Sequence, residues 1–70
     1  MNILVFKTDL KTKKKVREIS PCLNNHALIQ EWSVDLFDVD NVLRIVTSHP
    51  LKEGDVISLV KQYGFYCKPL

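Results

Sequence analysis

The sequence predicts an α+β domain of element order βαββαβ, in which a four-stranded antiparallel sheet carries two helices on one face. Three observations lead there. Two stretches, beginning near Thr12 and Leu51, repeat apolar residues at helical spacing. Four others, around Leu4, Trp32, Leu43 and Cys67, are short and rich in β-branched, aromatic or alternating apolar residues. Turn-formers, not linkers, separate these stretches, and 70 residues are expected to make one domain spanning 1–70. A chain of this size hides only about 60% of the surface its unfolded form exposes, so nearly every large apolar residue is needed in the core.

The first strand is expected over residues 2–8. Leu4 and Phe6 fall on one face and Ile3 and Val5 on the other, as in a central strand. From Thr12 the period changes: Val16, Ile19 and Leu23 recur at i, i+3 and i+7, with Lys14, Arg17 and Glu18 opposite, an amphipathic helix ending near Asn24-Asn25. Pro21 interrupts it. Inside a helix a proline removes one hydrogen bond and costs roughly 3 kcal/mol. Either it lies on the solvent side of a kinked helix, or Ser20-Pro21 caps a shorter one; the apolar period running through it favours the kinked helix. Ile29 to Phe37 reads as the second strand, with Trp32, Val34 and Leu36 inward and Ser33 and Asp35 outward. Trp32 is expected in the core against Ile19 and Leu23. Asp38-Val39-Asp40-Asn41 is a turn. Leu43 and Ile45 return inward on the third strand, completing a hairpin. After His49-Pro50, Leu51 and Val56 have the spacing of a hydrophobic staple. Val56, Leu59, Val60 and Tyr63 form the expected buried stripe of a second helix, stopped by Gly64. Phe65 to Leu70 is long enough for a last strand. The result is the arrangement of a ferredoxin-like sandwich.

Composition excludes several functions. The longest apolar run near the start, Ile3–Phe6, is shorter than the about 7–15 residues of a secretory core or the about 20 of a membrane span. Met1 is therefore expected to be the start of a cytoplasmic chain that engages no membrane. Two cysteines, Cys22 and Cys67, are too few for a disulfide scaffold and have no C-x-x-C spacing, so free thiols are expected. The net charge is +2, unevenly placed. Residues 1–20 hold six basic and two acidic side chains, and residues 21–70 hold four and six, the acidic ones gathered as Glu31, Asp35, Asp38 and Asp40. The molecule reads as bipolar.

Four stretches together resemble the heavy-metal-associated domain of copper chaperones and metal-transporting ATPases. They are Val16, Ile19 and Leu23 of the first helix, Trp32-Ser33-Val34-Asp35-Leu36, Leu43-x-Ile45, and Ile57, Leu59, Val60, Gly64 and Phe65. Phe6-Lys7-Thr8-Asp9-Leu10 resembles a cysteine-free branch of that fold. The resemblance implies a loop after the first strand carrying M-x-C-x-x-C. Counted back from Val16, the cysteine pair falls on Thr12 and Lys15, giving Thr12-Lys13-Lys14-Lys15, and no cysteine lies between Met1 and Pro21. Two thiolates in one loop hold a soft cation; a hydroxyl and ammonium groups do not. The resemblance therefore implies a heavy-metal-associated fold without its CxxC metal site, and no cofactor is expected.

The basic run Lys11, Lys13, Lys14, Lys15 and Arg17 is the most unusual feature. As a solvated helix face it needs no function. Yet lysines in a first turn oppose the helix dipole by roughly 0.3–1 kcal/mol each, and Lys13 and Arg17 are like charges four apart. In the resembling family this surface meets partner domains, so the run is the candidate docking surface for a protein with an acidic surface. It lacks the aromatic interleaving of a nucleic-acid groove, and no nucleic-acid partner is expected. Cys22 falls at the flank of the helix stripe and Cys67 inward on the last strand; His26 and His49 read as surface histidines. Asp35, Asp38, Asp40 and Asn41 lack the glycine and closing glutamate of a calcium loop. No nucleophile elbow or phosphate cradle occurs, and the chain is not expected to be an enzyme. The sequence thus reads as a non-enzymatic interaction or accessory domain, a monomer or a weak homodimer through an edge strand. The alternatives are a metal carrier using Cys22 or Cys67 with a histidine, and an anion or nucleic-acid binder acting through the lysines.

Overall fold

The computed structural model describes residues 2–70; Met1, the expected start, lies outside the described residues. The elements are β1 (Asn2–Thr8), α1 (Lys13–Asn24), β2 (Ile29–Val34), β3 (Leu43–Thr47), α2 (Glu53–Gln62) and β4 (Cys67–Pro69). The sheet order is β2-β3-β1-β4 with every neighbour antiparallel, the ferredoxin-like arrangement expected from sequence. β1 is central. One face of the sheet presents Phe6, Leu43, Ile45, Ile29 and Cys67, and Ile19 and Leu23 of α1 and Val56 and Val60 of α2 close over it. The other face stays open, with Ile3 49% exposed and Arg44 and Lys68 in solvent. No described helix is long and apolar enough to cross a membrane.

α1 runs unbroken through Pro21, which is exposed, so the lost bond falls on the solvent side. α2 ends in a Schellman turn. Gly64, at φ +85, sends its N–H to Lys61 O (2.9 Å), and Phe65 N–H reaches Val60 O (3.3 Å).

Four expectations are corrected. β2 ends at Val34, not Phe37, because Asp35 Oδ1 accepts the N–H groups of Phe37 (3.0 Å) and Asp38 (3.2 Å) and turns the chain there. A bulge between Ile29 and Glu31 lets Ile29 and Trp32 both face the helices although their spacing is odd. Trp32 is not in the centre of the core. It lies half-buried on the edge strand, packed against the core's margin, with Nε1 donating to Asn24 Oδ1 at 2.8 Å. Tyr63 is 48% exposed, since the Schellman turn brings Phe65 onto the core in its place. β4 is confined to Cys67–Pro69, because the amides of Phe65 and Tyr66 are taken by Val60 O and Asp9 Oδ1 and leave the ladder.

Candidate functional site

Three connections meet where β1 ends: the loop Asp9–Thr12, the turn between β2 and β3, and the link from α2 to β4. Two adjacent side chains, Thr8 at the end of β1 and Asp9 at the start of the loop, tie them together. Thr8, 4% exposed, donates from Oγ1 to Asn41 O (2.6 Å) and accepts from Leu10 N–H (3.2 Å), while its own N–H reaches Asp40 O (3.0 Å). Asp9 Oδ1 accepts from Tyr66 N–H at 2.8 Å. Leu10, the next residue, is fully buried and anchors the loop in the core. Asn41, buried at φ +44, closes the β2–β3 turn in the left-handed region that asparagine tolerates better than most residues. Sequence reading assigned no role to Thr8 or Asp9. The available signal was a Thr-Asp pair at a strand end, a common source of local backbone bonds.

This clamped loop delivers Thr12 to the start of α1. Thr12 is the N-cap, with φ −134 and ψ 159, and its Oγ1 accepts from Lys15 N–H at 3.2 Å. The two positions that the resemblance aligns with a cysteine pair are therefore joined, but as cap and capped amide. The first turn holds no acidic residue. Lys11, Lys13, Lys14 and Arg17 are exposed and Lys15 is half-buried, so the five candidate docking residues do gather at one helix start.

The bipolar reading of the charge is corrected by topology. β1 and β2 run in the same direction, so the acidic turn lies at the same end of the sheet as the basic loop. Lys7 Nζ stands 3.4 Å from Asp40 Oδ1 across that junction. The carboxylates that suggested calcium are spent on the turn itself: Asp35 Oδ1 binds two amides, and Asp38 Oδ1 accepts from Asp40 N–H at 2.8 Å.

The remaining candidate ligands are scattered. Cys22 is half-buried on α1, Cys67 buried on β4 opposite Thr8, and both are unpaired. Burial pushes the Cys67 thiol up from 9.0 to about 11, only partly offset by the charge of Lys61. His26 Nδ1 accepts from Leu28 N–H (3.2 Å), and His49 is exposed. Among the described residues no group of three His, Cys, Asp or Glu side chains is placed to hold a metal ion. The description "cysteine-free" fits the loop but not the chain.

Superposed on solved structures, the chain matches a chain of the Atx1–Cu(I)–Ccc2a complex with TM-score 0.86 at 13% identity, covering 100% of this chain and 96% of that one. A copper-binding domain from HMA7, a P-type ATPase, gives 0.81 at 21% identity over 100% and 95%. The copper(I)-loaded first domain of the human copper chaperone for SOD1 gives 0.77 at 21% over 96% and 89%. The chain has the fold of a heavy-metal-associated domain. No family model matches it, and no curated protein matches its sequence. At such identities the likeness is one of backbone, and the side chains at the α1 start have to speak for themselves.

Proposed function

We propose that this chain is a non-enzymatic interaction or accessory domain whose α1 start, Lys11, Lys13, Lys14, Lys15 and Arg17, docks an acidic surface of another protein. The observation that carries the reading is the Thr12–Lys15 cap. Where the related fold would place two thiols, this chain spends a hydroxyl on a backbone amide and surrounds it with ammonium groups. Cationic side chains, the positive end of the helix dipole and free amide donors then act in the same direction on an approaching carboxylate. The clamps at Thr8 and Asp9 hold the loop in one geometry, which lowers the ordering cost of binding. One structural neighbour is a chain of a two-protein complex, the Atx1–Cu(I)–Ccc2a complex, which is in keeping with a protein partner. The acidic β2–β3 turn beside the patch narrows the approach, since an acidic partner is repelled from that side and steered onto α1.

The competing reading, metal carriage by Cys22 or Cys67 with a histidine, requires a thiolate. Cys67 resists ionisation, and His26 Nδ1 is already an acceptor. Two measurements separate the readings. Reversing Lys13, Lys14 and Lys15 to glutamate should hold or raise stability, because negative charge suits the dipole, while salt-sensitive partner recovery from lysate falls. Unchanged recovery would reduce the patch to a solvated face. Native mass spectrometry of protein from copper- or zinc-supplemented cells should show the apo mass. A Cu(I) complex that survives a strong chelator would establish the metal carrier instead.

A further inference from the structure

The tip of the β2–β3 turn presents two large apolar side chains that the fold does not use. Phe37 is 102% exposed and Val39 93%, the two most exposed large hydrophobic side chains among the described residues. Lone exposed apolar residues are ordinary, but these two ride on a turn held by five backbone N–H bonds, those of Asp35, Phe37, Asp38, Asp40 and Asn41. Asp35 N–H donates to Val42 O (2.9 Å), Asn41 N–H to Asp38 O (3.0 Å), and the Asp35 and Asp38 carboxylates accept three further amides. Lys7 pins Asp40 from β1, and Thr8 pins Asn41. Phe37 and Val39 thus stand two residues apart on a preorganised loop, so little conformational freedom remains to be lost on contact.

We infer that this tip is a second docking element, an aromatic anchor that inserts into an apolar socket rimmed by cations on a partner protein. Charge chooses that occupant. Asp35 and Asp38 flank the anchor, and neither takes part in the one ion pair among the described residues, Lys7–Asp40. Immediately around the ring the charge is negative, which at the tip itself favours a cationic protein rim over an anionic bilayer. The lysines of the α1 start lie at the same end of the sheet but on a different connection. A basic-rimmed socket would neutralise the two carboxylates while the ring is buried, the usual composition of an interface hot spot. The inference is independent of the lysine patch. It stands if lysine reversal changes nothing, and it falls alone if the tip is inert.

The test places a photo-crosslinking benzoyl-phenylalanine at Phe37 of the full chain in intact cells and maps the crosslinked peptides. The expected result is one partner, crosslinked within an apolar socket bordered by lysine or arginine. The purified partner should then bind Phe37→Ser more weakly by on the order of 30-fold. Asp35→Asn and Asp38→Asn, which keep the amide oxygen as turn acceptor, should weaken binding less and flatten its salt dependence. Phe37→Ser should keep the urea midpoint of the wild type, since the ring touches no core. Crosslinks to lipid, to other copies of this chain, or spread over abundant proteins would overturn the inference, as would wild-type affinity of Phe37→Ser.

Discussion

Thr8 and Thr47 are both buried on the helix side of the sheet, yet the same isosteric change to valine should move stability in opposite directions. Thr8 Oγ1 makes two hydrogen bonds, to Asn41 O and from Leu10 N–H, and both partners are backbone groups of the loops it clamps. Thr8→Val removes both bonds and strands two polar groups. At roughly 0.5–1.5 kcal/mol net per bond, with an added desolvation cost for each orphan, the expected loss is about 2–3 kcal/mol. Thr47 is fully buried at the end of β3, and its Oγ1 has no hydrogen-bond partner among the described residues. Thr47→Val removes that orphan and should stabilise by about 1 kcal/mol or more. A domain of this size has a total stability of about 3–10 kcal/mol, so a separation of roughly 3–4 between the variants is large. Equilibrium urea unfolding measures it: with m of about 1 kcal/mol/M, the two midpoints should lie about 3 M apart on either side of the wild type. Thr8→Ser, which keeps the hydroxyl, should recover most of the loss. Midpoints that move in the same direction, or a Thr8→Val midpoint equal to the wild type, would refute the hydrogen-bond assignment at this end of the sheet.

Other outcomes are expected. Thr12→Cys with Lys15→Cys should create a Cu(I) site that the wild type lacks, seen by chelator competition, and the lost cap should cost the apo form about 1 kcal/mol; no binding would mean that these positions do not correspond to the related fold's cysteine pair. Cys67 should label only as fast as the protein unfolds. Because its thiol is raised from 9.0 to about 11, the unfolded chain ionises first. Its contribution is therefore complete below pH 9 and lost as pH rises toward 11, and Cys67→Val should show a shallower decline across that window in urea titrations. Trp32→Phe, which loses the bond to Asn24 Oδ1, should cost about 1 kcal/mol, and Trp32→Ala about 2, below the roughly 3–5 of a fully buried aromatic. A larger loss in thermal or urea unfolding would put the indole back in the core.

The local alphabet of the fold was legible because local physics writes it. Alternation in β1, the Val16-Ile19-Leu23 stripe, the Leu51–Val56 staple and the Gly64 stop each depend on residues a few positions apart, and each was found where the period put it. Even Pro21 was readable, since a stripe running through a proline leaves it only the solvent side. The identities Thr12-Lys13-Lys14-Lys15 by themselves show that the loop carries no thiol.

The misreadings came from competition between distant groups. The length of β2 was set by one carboxylate, Asp35, whose backbone bonds outweigh continued pairing of Leu36 and Phe37, and alternation alone cannot reveal that contest. The bulge at Gln30 was hidden because it changes parity without changing composition. Thr8 and Asp9 draw their partners from 33 and 57 positions away, separations invisible to any window. The charge map failed for the same reason. Summed along the chain, the charges separate into a basic beginning and an acidic remainder, but parallel placement of β1 and β2 returns the acidic turn to the basic end. Sequence thus determined which groups this protein has and which short segments they stiffen, because propensity and periodicity act over a few residues. Only the tertiary structure decided which groups meet, because the strand order brings chain-distant loops to one end and burial makes their polar atoms bond there.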